Sequence, residues 1–159
     1  MRSGEVITRS REETIERGRE IGAGLASRVL ILLSGDLGAG KTTLAKGIVS
    51  GLGAAKEEEV TSPTFTLVHK YGDGRRVYHV DLYRIGDLHD LETLGLEDIF
   101  IENAVVIVEW PDRLKIRPDW PALRIRLEHV SEEERRIIME PSGQEASGDE
   151  KGADGLTAP

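Results

Sequence analysis

Lys41 and Thr42 close a short run, Gly35-Asp36-Leu37-Gly38-Ala39-Gly40-Lys41-Thr42, in which the first glycine stands five residues before the last. This is the G-x-x-x-x-G-K-[ST] spacing of a phosphate-binding loop. Glycines carry no Cβ, so the main chain at Gly35, Gly38 and Gly40 can wrap closely around phosphate oxygens. Amide N–H groups from Gly38 to Thr43 then converge on an anion at a helix N-terminus, where the dipole also favours negative charge. The predicted phosphate-binding set is therefore Gly35, Leu37, Gly38, Ala39, Gly40, Lys41, Thr42 and Thr43. In such a loop the lysine reaches the β- and γ-phosphates and the threonine hydroxyl ligates Mg²⁺. An accidental glycine-rich turn is the alternative. The apolar run before the loop and the helical spacing after it argue against accident.

A nucleotide site of this kind needs a carboxylate near the metal, at the end of a neighbouring strand. Asp81 and Glu109 both stand where apolar runs end. Glu109 follows five apolar residues and is the better metal candidate, with Thr42; Asp81 follows a run broken by His79. Lys41, Glu109 and Asp81 form the predicted catalytic set. Thr61-Ser62-Pro63-Thr64 clusters hydroxyls about a proline, either as a switch that senses phosphate and metal or as an ordinary polar turn. His69, His79, His89 and His129 lack metal-ligand spacing and read as structural or surface residues. Trp110 packs either on the nucleotide or in the core, and Arg84 meets either phosphate or a carboxylate. Asn103 is the only asparagine and alanine follows it, so the guanine-reading N-K-x-D motif is absent and adenine is favoured. Arg11 and Thr14 could reach the base if their helix lies by the loop, since an arginine plane stacks on a ring.

The elements that must position these groups follow from periodicity. Glu5 to Thr8 reads as an edge strand. Ser10 with Glu13 is a capping signal for a helix from Arg11 to Leu25, weakened or closely packed through Gly18, Gly22 and Gly24. Val29 to Leu33 and Ala104 to Glu109 are continuous apolar runs, as in strands buried on both faces. Leu44, Ala45, Ile48, Val49 and Leu52 keep helical spacing until Gly51 and Gly53. Residues 54–59 read as a surface loop. Phe65 to Tyr71 and Val77 to Asp81 predict a hairpin about Gly72-Asp73-Gly74. Leu88 to Leu94 is a short helical stretch ended by Gly95, and Leu96 to Phe100 adds another turn. Leu123 to Leu127 and Arg136 to Met139 form a second hairpin about Ser131 to Glu134. Together these elements read as an α/β chain with β-hairpin additions. Residues 1–141 read as one domain, and 142–159 as a disordered acidic tail.

Composition narrows the setting. The 159 residues include 38% hydrophobic ones and no cysteine, and the formal net charge is −8. Disulfides and thiol–metal sites are excluded, and a reducing cytoplasm fits. No apolar run is long enough to span a membrane, and the first residues lack a secretory signal's apolar core. An acidic chain is poorly suited to holding nucleic acid alone, because such binding rests on cationic neutralisation of phosphates. Any RNA belongs to a partner.

Taken together, Gly35 to Thr43, Ser62-Pro-Thr-Phe-Thr-Leu67, Tyr78-His-Val-Asp-Leu-Tyr-Arg84, Leu94-Gly-Leu-Glu97 and Val108-Glu-Trp-Pro111 resemble the TsaE (YjeE) family. That family is the bacterial ATPase of tRNA threonylcarbamoyladenosine biosynthesis. The resemblance spans about Ser10 to Pro111; the ends match only in pattern, and the tail not at all. It implies an α/β, three-layer, P-loop NTPase-like fold with a mixed central sheet and flanking helices, residues 1–141 forming one P-loop ATPase domain. The same resemblance implies slow, Mg²⁺-dependent ATP hydrolysis in support of TsaB and TsaD partners, of which TsaD transfers the threonylcarbamoyl group to the adenosine beside the anticodon. It also implies that Lys41 binds phosphate, that Thr42 and Glu109 hold Mg²⁺, that Asp81 lies by the nucleotide, and that Thr61 to Thr64 switch. A small-molecule kinase and a nucleotide-dependent interaction switch without turnover are the competing readings.

Overall fold

The computed structural model describes residues 3–26, 28–115 and 117–143. Its centre is β2 (Val29–Ser34), whose sequence VLILLS is buried almost throughout. Such a strand needs cover on both faces, and full burial of each leucine or isoleucine is worth about 1.5–3 kcal/mol. The cover comes from two helical layers. Alternation sends Val29, Ile31 and Leu33 toward one cluster with Leu44 and Ile48, and Leu30 and Leu32 toward a second with Leu91, Leu96 and Phe100.

On the first face lie α1 (Arg11–Ala23) and α2 (Lys41–Gly51); on the second, the short α3 (Leu88–Glu92) and α4 (Leu96–Phe100). The remaining strands are β1 (Gly4–Thr8), β3 (Val68–Tyr71), β4 (Arg76–Asp81), β5 (Ala104–Glu109), β6 (Pro121–His129) and β7 (Arg135–Gly143). The seven strands run β1-β7-β6-β2-β5-β4-β3. β6, β2, β5 and β4 are mutually parallel, while β1, β7 and β3 pair antiparallel at the two sides. The expected mixed sheet, flanking helices and two hairpins are all present.

Local chemistry sets the boundaries. Ser10 Oγ accepts from the Glu13 amide, and Glu13 in turn accepts from the Arg9 amide, so α1 begins where the capping signal predicts. It stops at Ala23, two residues before the expected Leu25, because the Gly24 amide turns back to Ile21. α1 and α2 touch backbone to backbone: a Cβ at Gly47 would stand 2.1 Å from the Ile15 carbonyl oxygen. The glycines of α1 therefore serve close packing. β3 begins at Val68 rather than Phe65, since residues 64–67 form a turn closed by the Leu67 amide on the Pro63 carbonyl. The surface loop at 54–59 contains one 3₁₀ turn, Glu57–Glu59. β7 continues to Gly143, paired with Pro121, so Ser142 and Gly143 belong to the sheet rather than to the predicted tail. Residues 144–159 of that tail lie outside the described residues.

Candidate functional site

The loop between β2 and α2 adopts the conformations its glycines were expected to permit. Gly40 caps α2 with φ of 104°, a left-handed value that few other residues take without strain. At Gly35, φ is 148° and a Cβ would lie 2.6 Å from the Leu127 carbonyl oxygen. β6 thus presses the loop against the head of α2. Lys41, only 5% exposed, folds back so that Nζ donates to the carbonyls of Gly35 at 2.6 Å and Asp36 at 2.9 Å. The same ammonium lies 4.5 Å from the centre of the Trp110 ring. Burial lowers the Lys41 pKa from its ordinary value of 10.5, against the opposing pull of Glu109, Asp81 and Asp36.

Parallel pairing brings the two predicted carboxylates together. Asp81 and Glu109 are register partners at the ends of β4 and β5, and both are buried. The Thr42 hydroxyl donates to Glu109 Oε2 at 3.1 Å, joining the first turn of α2 to the end of β5. His79 Nε2 donates to the same oxygen at 2.7 Å. Asp81 Oδ1 accepts from the Tyr83 amide, and Oδ2 from the Thr64 hydroxyl at 2.9 Å. Since the single Thr64 proton is committed to Asp81, the Ser62 hydroxyl donates to Thr64, at 2.7 Å. The segment 61–64 is thereby tethered to a strand-end carboxylate.

These groups surround a cavity of about 310 Å³ lined by Leu37, Gly38, Gly40, Lys41, Thr42, Thr43, Ser62, Thr64, Asp81, Tyr83, Glu109 and Trp110. Gly35, Ala39, Thr61 and Pro63 do not line it. Ala39 is buried, and the Thr61 amide faces the Tyr71 hydroxyl at 3.3 Å. Arg11 and Thr14 line a different cavity, of about 390 Å³, on the other side of the loop with Glu132, Glu133 and Arg135; Gly38, Gly40 and Thr43 border both. The Thr14 hydroxyl is bonded to Thr8 at 2.7 Å and is 2% exposed, so Arg11 is the freer of the two predicted base contacts. Trp110 packs both ways: its ring lies 4.9 Å from that of Tyr83 at the cavity, and it also borders the second core cluster. Arg84 does not line this cavity, and among the described residues no ion pair joins it to a carboxylate; its guanidinium lies over Phe65 at 5.0 Å. A larger cavity of about 490 Å³, near Arg117, Arg124 and Arg126, contains none of the predicted residues.

Three residues of this neighbourhood were not legible as functional. His79 read as a break in an apolar run. Its two-residue spacing from Asp81, which puts both on one face of β4, was the available signal. Tyr83 stands two residues after Asp81, where the chain turns. Arg135 had no local signal: Nε donates to the Ala39 carbonyl at 3.1 Å, and its guanidinium also bonds carbonyls of the 131–134 turn. It fastens the second hairpin to the loop. Among the described residues no group of three or more His, Cys, Asp or Glu could hold a metal, and no helix is long and apolar enough to cross a membrane.

Comparison with known proteins agrees with this architecture. A family model described as "Threonylcarbamoyl adenosine biosynthesis protein TsaE" matches residues 8–138. The chain is 34% identical over 133 residues to the tRNA threonylcarbamoyladenosine biosynthesis protein TsaE of Treponema pallidum, covering 84% of this chain and 97% of that one. It is 43% identical over 86 residues to the protein of the same name from Haemophilus influenzae, a match that spans 54% of this chain and 53% of the relative. The crystal structure of YdiB from Bacillus subtilis superposes with a TM-score of 0.71 at 29% identity, covering 93% of this chain and 90% of the other. The chain belongs to the TsaE family, whose members take part in tRNA threonylcarbamoyladenosine biosynthesis.

Proposed function

From membership of the TsaE family, we propose that this chain is a Mg²⁺-dependent ATPase of low intrinsic turnover. In this reading it works with TsaB and TsaD, which transfer a threonylcarbamoyl group to the adenosine beside the tRNA anticodon. The observation that carries the proposal is the Thr42–Glu109 hydrogen bond, 3.1 Å long, beside a glycine loop that holds Lys41. It sets a hydroxyl and a carboxylate side by side at a cavity that Gly38, Gly40 and Lys41 also line.

The donor set suits the ion. Magnesium prefers hard oxygen ligands and is commonly bound by one or two protein oxygens, completed by substrate phosphates and water. Thr42 and Glu109 would supply that pair. Held by Thr42 and Glu109, the ion would supply positive charge against the negative charge that develops on the phosphates. Amides at the head of α2 bind phosphate oxygens without reorganising, because Gly40 already holds the left-handed turn. Lys41 exchanges the carbonyls of Gly35 and Asp36 for phosphate oxygens, gaining an anionic partner for its desolvated charge. Asp81, through Thr64, couples the Ser62–Thr64 segment to events at the γ-phosphate. The cavity beside Arg11 receives the nucleoside, which leaves Leu37, Tyr83 and Trp110 around the phosphates.

The net charge of −8 argues that tRNA is held by the partners rather than here. After α2 comes a β-hairpin instead of an arginine-bearing helical lid, which favours an ATPase over a small-molecule kinase. Reconstitution tests the proposal. Phosphate release and tRNA modification are measured with TsaB and TsaD, with and without this chain. Release stimulated by the partners, and modification that depends on the chain, are expected. Absence of phosphate release under either condition leaves only an interaction switch, and phosphorylation of a small metabolite would point to a kinase.

A further inference from the structure

His79 is the one fully buried ionisable side chain, among the described residues, that neither cavity touches. It sits in the middle of β4, where Val77 and Val80 are also fully buried and an apolar residue would fit the pattern. Its Nε2 donates to Glu109 Oε2 at 2.7 Å, while Nδ1 meets no partner among the described residues. A lone pair at Nδ1 is tolerable in apolar surroundings; an unpaired N–H there is much less so. The imidazole is therefore held as the Nε2–H tautomer, a donor aimed at one carboxylate oxygen.

We infer that His79 is a positioning residue for the metal site, deepening the proposed function on which this inference rests. Among the described residues, Glu109 Oε2 receives two donors, Thr42 and His79, and Oε1 receives none. With the carboxylate fixed by His79, the Thr42 proton stays committed to Oε2. The lone pairs of the Thr42 oxygen then face the cavity, where a cation can use them, and Oε1 stays free for the ion or its water. Without His79 the carboxylate is held by the 3.1 Å contact to Thr42 alone and can rotate away from it. His79 itself is 0% exposed and lines neither cavity. Its effect is confined to the metal-dependent part of nucleotide binding.

The experiment compares His79→Gln with His79→Asn. Both keep an amide donor, but only glutamine carries it as far as Nε2. ATP affinity is measured by calorimetry in EDTA and across a Mg²⁺ titration, with a thermal melt of each variant. His79→Asn should need at least about 10-fold more Mg²⁺ for half-maximal tightening of ATP binding, with affinity in EDTA within about 2-fold of the parent. His79→Gln should recover most of the Mg²⁺ response. In the parent, imidazole ¹⁵N spectra should show the Nε2–H tautomer. Equal losses in EDTA and Mg²⁺, no change in Mg²⁺ response in folded His79→Asn, or an Nδ1–H tautomer would each overturn the inference. Glu109→Ala, run in parallel, separates the levels. If it keeps the full Mg²⁺ response, the metal site itself is misassigned. If it loses the response while His79→Asn keeps it, only the role of His79 falls.

Discussion

Replacing Gly47 by alanine tests the packing that holds the loop's helix. Gly47 lies inside α2, where alanine is ordinarily favoured over glycine by about 0.8–1.0 kcal/mol. Here the new methyl would meet the Ile15 carbonyl oxygen at 2.1 Å, Gly18 Cα at 2.9 Å and the Arg19 amide nitrogen at 3.0 Å. Ordinary carbon–oxygen contacts begin near ~3.3 Å, so the two helices must separate locally by about 1 Å. The obstructing atoms are backbone and cannot rotate aside. Overpacking costs about 1–3 kcal/mol and occasionally more, and this case belongs at the upper end. After subtracting the propensity gain, a net loss of about 2 kcal/mol remains, which lowers Tm by roughly 4–8 °C in a chain of this size. α2 also carries Lys41 and Thr42 in its first turn, so ATP affinity should fall as well. The control is Gly24→Ala, whose methyl meets, among the described residues, the Glu20 and Ile21 carbonyls at 3.8 and 3.9 Å. Its stability should stay within about 1 kcal/mol of the parent. Thermal melts and ATP calorimetry on both variants provide the assay. A Gly47→Ala protein as stable as the Gly24→Ala one would refute the backbone-contact argument.

Lys41→Ala should weaken ATP binding by about 100-fold or more, the worth of two charge-assisted hydrogen bonds at ~1.5–3 kcal/mol each; unchanged calorimetric affinity contradicts the role. Because burial lowers the Lys41 pKa, ATP affinity should decline with rising pH earlier than for an ordinary lysine. The unfolded chain holds more protons at this site between the lowered and ordinary values, so Lys41 adds stability as pH rises through that window; a Lys41→Met comparison of melts against pH checks the sign. ATP should change the emission of Trp110 by drawing the Lys41 ammonium from its ring. Trp110→Phe, which retains Trp120, should lose that change, and its persistence would place the signal elsewhere. Glu109→Ala should reduce hydrolysis more than Mg²⁺-free ATP binding, and equal phosphate release from both proteins counts against it.

Much of the site could be read from local order. Gly35, Gly38 and Gly40 specify a loop that few other residues could form, and Val29 to Leu33 and Ala104 to Glu109 announce strands buried on both faces. These signals survive without tertiary context because backbone conformation and burial act over a few residues. Boundaries were less secure. Phe65 to Leu67 has strand-forming residue types but turns, because the Thr64 hydroxyl and the Leu67 carbonyl are both engaged by Asp81.

By itself the sequence determined the glycine loop, its lysine and threonine, the two strand-end carboxylates and the α/β class. Each rests on residue type at fixed spacing. Only the tertiary structure decided that Glu109 faces Thr42, that His79 stands behind it, and that Arg135 secures the loop from a hairpin 96 residues away. Those contacts join different strands and helices, so they depend on sheet order and register. The loop's spacing follows from its own covalent geometry, whereas its strand-end partners follow from which strand lies beside which.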